Sequence, residues 1–180
     1  GMSVPDTVRH GSPKVIHENY PELGYNYRMT DMQAAMGREQ LKRLPEIIET
    51  RRRLAALYTE AISEIPGYGT PVEPSCVRSN WQSYCVRLPD GIDQLAAMQA
   101  LLDKGISTRR GVMNSHIEAA YGGDGLFRAG SSLERSLEAQ QRCIILPLSV
   151  QMTEDEIYEV VDALADLVIE QASVSIATAI

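Results

Sequence analysis

The most informative stretch of the chain is Gly-Tyr-Asn-Tyr-Arg-Met-Thr-Asp-Met-Gln-Ala-Ala-Met-Gly, which occupies residues 24–37. Thr30 and Gln33 have the spacing of a capping box, in which each side chain satisfies a backbone N–H at a helix start. The residues just before this start favour the binding of an anion. The helix start offers unpaired N–H groups and the positive end of the helix dipole, and Asn26 and Arg28 add an amide and a guanidinium. The stretch therefore predicts a helix whose approach suits a phosphate or carboxylate, unless Asn26 only turns the chain and Arg28 is solvated.

Length and composition favour one compact globular domain. The chain has 180 residues, of which 44% are hydrophobic and 23% charged, close to average globular usage. No apolar run approaches the roughly 20 residues that a membrane helix needs, so we expect no membrane association. A formal net charge of −7 and an isoelectric point near 5.0 argue against a nucleic-acid-binding surface, which needs clustered basic residues.

The cysteine and histidine positions bear on redox compartment and metal chemistry. The cysteines are odd in number and widely spaced, which indicates free thiols in a reducing compartment, and we expect a cytoplasmic protein. The histidines are scattered and no Cys-x-x-Cys pair occurs, so we expect no metal site. The cysteines are Cys76, Cys85 and Cys143, and the histidines are His10, His17 and His116.

Proline and glycine positions divide the first half of the chain. Residues 1–23 are rich in both and lack periodicity, which predicts an extended N-terminal arm. Apolar residues then recur at helical spacing until Pro45 interrupts them. Because proline is tolerated in the first turn of a helix, we predict helices over about 30–43 and about 45–64 with a bend between them. A loop over 66–80 follows.

The second half of the chain alternates strand and helix patterns. The predicted strands span 81–88, 106–112 and 142–148. The predicted helices span 92–104, about 115–121 and 131–141. A last helix begins at a capping box of Thr153 and Glu156 and is followed by a frayed tail over 172–180. Three strands with helices segregated to one face predict an α/β (α+β) two-layer domain built on a small, mostly antiparallel sheet.

A pair of arginines near the end of a predicted strand is a candidate anion site. The guanidinium groups of Arg109 and Arg110 can hold a diphosphate through bidentate hydrogen bonds. His116, a few residues further on, can hydrogen-bond the same anion. In the alternative interpretation, one arginine is the ion-pair partner of Asp103 or Glu118, and His116 is a surface residue.

Three other features favour structural interpretations. The arginine run at 51–53 lies on an amphipathic helix near acidic residues, which favours a solvated, partly paired face. The glycine-rich segment 122–125 matches neither common phosphate-loop pattern and does not follow a strand, so we expect a flexible turn. Cys85 has no histidine nearby in sequence, and we predict a buried apolar residue rather than a nucleophile.

The stretch at 24–37 resembles the signature of the DegT/DnrJ/EryC1/StrS family of pyridoxal-phosphate-dependent sugar aminotransferases. The resemblance covers about residues 8–170 and extends to three further groups of residues. These are Gln40, Leu41 and Leu44 after the signature, the segment 105–112 with His116 and Tyr121, and Leu-Pro-Leu at 146–148 before the last helix.

The resemblance implies that residues 24–171 are the C-terminal small domain of a fold-type-I aminotransferase. Intact members transfer an amino group from an amino acid such as glutamate to a keto-sugar nucleotide, with pyridoxal phosphate as cofactor. Their larger domain lies upstream, and the cofactor site is shared between subunits of a dimer. We therefore expect a homo-oligomer, with self-association through the arm and the first helix.

The resemblance also implies roles for particular residues. Asn26 would approach the cofactor phosphate of the neighbouring subunit, with Arg28 as a weaker contact. The residues implied near a nucleotide-sugar substrate are Arg109, Arg110, His116 and Tyr121.

A transaminase needs a lysine that forms the internal aldimine with the cofactor. The lysines of this chain are Lys14, Lys42 and Lys104, and none stands in the Ser-x-His-x-x-Lys context of the family. We therefore expect that the Schiff-base lysine is absent, and that the chain by itself binds no cofactor and does not transaminate. The alternative is a non-catalytic binding or assembly module derived from half of an aminotransferase.

Overall fold

The structure, a computed structural model, describes residues 3–4, 8, 11–17, 19, 21–25, 27–121 and 128–178, with side chains described as far as Glu170 in the last helix. The helices are α1 (Asp31–Ser63), α2 (Gln94–Asp103), α3 (Glu134–Arg142) and α4 (Glu154–Thr178). The strands are β1 (Tyr84–Arg87), β2 (Arg109–Arg110) and β3 (Cys143–Leu146), and two short 3-10 turns span Ser115–Ile117 and Ala119–Tyr121. The described chain divides into two units, residues 1–43 and 44–180.

The first unit contains the predicted capping box at the start of α1. The Thr30 N–H donates to Gln33 Oε1 at 2.9 Å, and the Gln33 N–H donates to Thr30 Oγ1 at 3.3 Å, which confirms it. Large apolar side chains around this helix start are exposed to between 70% and 86% of their surface. These side chains are Tyr25, Tyr27, Met29, Met32 and Met36.

Helix α1 corrects one prediction. The two helices expected on either side of Pro45 form a single helix of 33 residues that contains the proline. Pro45 removes one backbone hydrogen bond, a loss that opposes helix formation. The following turns bury Leu54, Ala55, Tyr58 and Ile62 in the core of the second unit, and burial of such a helix face supplies most helical stability in proteins.

The sheet of the second unit has the order β1-β3-β2, and both pairs are antiparallel. Tyr84 lies opposite Leu146 across the first pair, and Arg109 lies opposite Ile145 across the second. Strand β3 is therefore the central strand, and both neighbours begin at the edge of the sheet where β3 ends. The predicted three-stranded antiparallel sheet is confirmed.

One face of this sheet and three helices form the hydrophobic core. Alternate strand residues are buried, as expected when only one face meets the core. Burying a large aliphatic side chain stabilises the fold by about 1.5–3 kcal/mol, so this face dominates the stability of the unit. The strand residues are Tyr84, Val86, Ile144 and Leu146, and the largest helix residues against them are Leu54, Tyr58, Ile62, Leu101, Ile157 and Leu164.

Helix ends follow the local signals. Asp93 caps α2 by accepting from the Ala96 N–H at 2.9 Å, and Gly105 takes a φ of +81° just after that helix ends. The capping box before α4 is present, since the Thr153 N–H donates to Glu156 Oε2 at 2.8 Å and the Glu156 N–H donates to Thr153 Oγ1 at 3.2 Å. No helix within the described ranges is long and apolar enough to cross a membrane.

Helix α3 and strand β3 are joined without an intervening loop, because α3 ends at Arg142 and β3 begins at Cys143. The Gln94 side chain bridges this junction. Its Nε2 donates to the Gln140 carbonyl at 2.8 Å and to the Cys143 carbonyl at 2.6 Å. The junction is therefore held from the neighbouring helix α2.

Several predicted elements are shorter than expected. The strand predicted over 81–88 begins only at Tyr84, because Trp81 has a φ of +48° and the chain turns there. The strand predicted over 106–112 contains two residues, and the short helix predicted near 115–121 is a pair of 3-10 turns. The glycine-rich segment 122–125 lies outside the described residues.

Gly111→Ala is expected to destabilise the second unit by about 1–3 kcal/mol through overpacking. A Cβ at this position would lie 2.8 Å from the backbone oxygens of Ala139 and Cys143, which cannot move aside as the end of a flexible side chain can. Denaturant unfolding followed by circular dichroism measures the change. Gly130→Ala is the matched control, since nothing lies within 4 Å of its Cβ position, and equal midpoints for both variants would contradict the prediction.

Candidate functional site

An open pocket of about 850 Å³ lies at the sheet edge where β1 and β2 begin and β3 ends. Its polar lining comes from the approach to β1 and from β2. Its apolar lining comes from β3, α2 and the segment after β2. The polar residues are Gln82, Ser83, Thr108, Arg109 and Arg110, and the apolar ones include Met98, Val112, Met113, Ile145, Leu146 and Leu148.

The two arginines of this pocket differ in their partners. Arg110 Nη2 donates to Glu118 Oε1 at 2.9 Å, so Glu118 is the acidic partner that the sequence offered as one alternative. Asp103, the other candidate, accepts instead from Gln99 Nε2 at 2.8 Å. The Arg109 guanidinium is exposed and makes no ion pair with any residue that the structure describes. Of the two arginines in this pocket, Arg109 is the one without an ion-pair partner among the described residues, so it can bind an anion.

The segment after β2 is anchored by a buried polar residue. The Gln140 side chain, with its residue only 6% exposed, accepts from the Asn114 N–H at 2.6 Å, and Asn114 Nδ2 donates to the Ser136 carbonyl at 2.7 Å. These contacts place the 3-10 turns that carry His116 and Tyr121. His116 is half-buried and has a contact of its own, Tyr121 is 46% exposed, and neither lines the pocket.

The two candidate cofactor-phosphate residues belong to the first unit. Asn26 lies outside the described residues. Arg28 is exposed and takes part in an interaction within the structure. Both roles therefore stay predictions.

A third arginine, Arg52, holds the loop ahead of β1, a role that the sequence analysis missed. Its Nη1 and Nη2 donate to the two carboxylate oxygens of Glu73 at 2.9 and 3.0 Å, and Nη1 also donates to the Ser79 carbonyl at 2.6 Å. The Arg52 hydrogen bond, with a second from the Ser79 N–H, holds the pKa of the Glu73 carboxyl below its usual value. Arg52 is thus paired across the fold rather than along its helix.

The thiols and lysines show which chemistry the described residues supply. Burial raises the pKa of the Cys85 thiol to about 11, so it stays protonated at neutral pH and is a poor nucleophile. Lys42 Nζ pairs with Glu39 at 2.6 Å, Lys104 Nζ pairs with Asp166 at 2.7 Å, and Lys14 is exposed. None of these lysines lines the pocket, so its residues do not fit the aldehyde end of pyridoxal phosphate.

The three-stranded antiparallel sheet with helices against one face matches the smaller domain of fold-type-I aminotransferases, the class of the solved structures to which the chain is similar. The chain belongs to the DegT/DnrJ/EryC1/StrS aminotransferase family, whose model matches residues 3–165. The resemblance drawn from the stretch at 24–37 is therefore confirmed.

Individual relatives agree with this assignment. The chain is 28% identical over 172 residues to spore coat polysaccharide biosynthesis protein SpsC of Bacillus subtilis, covering 93% of this chain and 44% of that protein. It is 33% identical over 143 residues to dTDP-4-dehydro-2,3,6-trideoxy-D-glucose 4-aminotransferase of Saccharopolyspora spinosa, covering 78% of this chain and 35% of that protein.

Among solved structures, the aminotransferase TlmJ from Streptoalloteichus hindustanus superposes with a TM-score of 0.73 at 25% identity, covering 86% of this chain and 41% of that one. The chain thus spans less than half the length of the relatives that it matches.

Proposed function

We propose that this chain is the C-terminal domain of a pyridoxal-phosphate-dependent aminotransferase that acts on a nucleotide sugar. The observation that carries the proposal is the pocket, where Arg109 has no ion-pair partner among the described residues and shares the lining with apolar side chains. A guanidinium in such a position suits a diphosphate. The relative from Saccharopolyspora spinosa is named for a dTDP-linked sugar, which supports this substrate class.

In this proposal each candidate residue has one task. Arg109 binds the diphosphate, and Arg110, whose charge is balanced by Glu118, adds a hydrogen-bond donor beside it. His116 and Tyr121 lie outside the pocket lining, on the segment that Gln140 anchors, and are assigned contacts to the part of the nucleotide sugar that extends beyond the pocket. The last two candidates, Asn26 and Arg28, contact the cofactor phosphate of a neighbouring subunit.

The amino-transfer chemistry itself lies outside these residues. Pyridoxal phosphate, when bound to an enzyme, acts as an electron sink and needs a lysine that links to its aldehyde. Lys42 and Lys104 are held in surface ion pairs, and neither they nor Lys14 line the pocket. This chain therefore binds and orients substrate, while a lysine-bearing domain supplies the cofactor.

Arg109→Ala is expected to weaken the binding of thymidine diphosphate about tenfold or more, since a hydrogen bond to a charged group contributes about 1.5–3 kcal/mol. Isothermal titration calorimetry measures the dissociation constant. Arg135→Ala is the control, because Arg135 is an exposed arginine of α3 that does not line the pocket. Equal affinity of the Arg109 and Arg135 variants would refute the role given to the pocket.

The chain mixed with pyridoxal phosphate is expected to show no specific aldimine. Its lysines have ordinary surface surroundings, so any imine they form is a weak, scattered modification. Absorbance spectra and mass spectrometry after borohydride reduction measure it. A stoichiometric aldimine abolished by one Lys→Ala substitution would show that a Schiff-base lysine lies in this chain after all.

Self-association through the first unit is the third part of the proposal. Exposed methionines such as Met32 and Met36 provide apolar surface of the kind that marks protein interfaces. Light scattering after size-exclusion chromatography at tens of micromolar is expected to give a mass above that of the monomer, and Met32→Glu combined with Met36→Glu to reduce it. Val72→Glu, an exposed position in the second unit, is the control, and a monomeric wild-type chain would contradict the proposal.

A further inference from the structure

The turn at residues 79–83, between the proline-rich loop and β1, has an unusual backbone. Trp81 has a φ of +48°, and it is the one non-glycine residue with positive φ among the described residues. Bulky side chains rarely adopt this conformation, because it is strained, and it persists only where surrounding contacts impose it.

Five contacts hold this turn, one of which runs from the Gln82 N–H to Asn80 Oδ1 at 3.1 Å. Ser79 receives a hydrogen bond on its carbonyl from Arg52 at 2.6 Å, and its N–H donates to Glu73 Oε1 at 2.6 Å. The Trp81 N–H donates to Ser79 Oγ at 3.1 Å, and the Trp81 ring stacks on Tyr84 with centroids 5.7 Å apart. The partly buried Arg52 and Glu73 thus fix the path of the chain into β1, and so fix the two residues that follow Trp81.

Those two residues face the pocket and have unused polar groups. Gln82 and Ser83 line the same pocket as Arg109. Neither side chain makes a hydrogen bond with a residue that the structure describes, and Gln82 is exposed. A glutamine amide offers both donors and an acceptor, which is the combination that recognises sugar hydroxyl or carbonyl oxygens.

The strand spacing of the sheet determines how far Gln82 and Ser83 lie from Arg109. Gln82 and Ser83 precede β1, and Arg109 opens β2, with β3 between the two strands. Neighbouring strands lie about 4.8 Å apart, which puts β1 and β2 about 10 Å apart. Gln82 also lies about three residues along the strand direction from the level of Arg109, so their backbones are about 14 Å apart and their long side chains extend from there. A hexose joined to a diphosphate has the length to place its phosphate at Arg109 and its ring oxygens at Gln82.

We infer that the 79–83 turn is the sugar-recognition element of the pocket, with Gln82 as the residue that discriminates the sugar and Arg52 as its positioning residue. This inference rests on the proposed function, because it assumes that a nucleotide sugar occupies the pocket. It differs from that function in assigning the sugar end to a segment outside the family signature at 24–37 and outside the arginine pair.

The test compares two probes on the 180-residue chain, thymidine diphosphate and thymidine diphosphate glucose, by isothermal titration calorimetry. The quantity of interest is the ratio of their dissociation constants, which isolates the sugar's contribution. Gln82→Ala is expected to lower the preference for the sugar-bearing probe about fivefold, as expected for one or two lost hydrogen bonds, while the affinity for thymidine diphosphate stays unchanged. Gln141→Ala, an exposed glutamine outside the pocket, is the matched control and keeps the wild-type ratio.

A separate substitution tests the positioning role of Arg52. Arg52→Met removes the hydrogen bonds to Glu73 and Ser79 and keeps the aliphatic stem, and it is expected to lower the same ratio without weakening thymidine diphosphate. A merely structural role for Arg52 would weaken both probes equally.

The outcomes separate this inference from the proposed function. If Arg109→Ala weakens both probes but Gln82→Ala leaves their ratio unchanged, the turn is not the sugar-recognition element and the proposed function stands. If the wild-type chain binds neither probe, both are overturned. If Gln82→Ala lowers the ratio while Arg109→Ala has no effect, the sugar assignment holds and the diphosphate assignment is wrong.

Discussion

The register of β3 is the constraint on which the second unit depends. Strand β3 pairs with both β1 and β2, so its backbone hydrogen bonds determine where both neighbours begin. Its alternation also assigns Ile144 and Leu146 to the core. A shift of one residue in β3 would turn its apolar side chains to the other face and displace the arginines of β2 from the rest of the pocket. Core packing and pocket geometry therefore depend on the same hydrogen bonds.

The parts of the fold that could be predicted are those encoded within a few residues. Both capping boxes and the three strand segments are local patterns of side-chain chemistry and periodicity. The continuity of α1 could not be predicted from local patterns, because Pro45 is a local signal for a break. The burial of Tyr58 and Ile62, which favours the helix, involves strands that are distant in sequence. The start of the first strand was predicted wrongly for the same reason, since Arg52 and Glu73 hold the turn that precedes it.

The candidate site shows the same division. Residue type and spacing indicated Arg109 and Arg110 as candidates and gave Glu118 as one possible ion-pair partner. Only the structure shows that Glu118 forms an ion pair with Arg110 and that Asp103 accepts a hydrogen bond from Gln99. The two arginines therefore differ in their partners. Gln82 and Ser83 carried no signal in the sequence, because their position beside the arginines comes from strand pairing rather than from chain proximity. The buried anchor Gln140 was likewise hidden within a helix pattern.

The loopless junction between α3 and β3 bears on how such a domain can change in length over evolution. Most domains absorb insertions and deletions in surface loops, where extra residues alter little else. No loop separates Arg142 from Cys143, and the Gln94 amide donates hydrogen bonds to carbonyls on both sides of this junction. An added residue there would have to disturb either the helix or the strand register. We therefore expect insertions and deletions to fall before α3 or after β3 rather than at this junction.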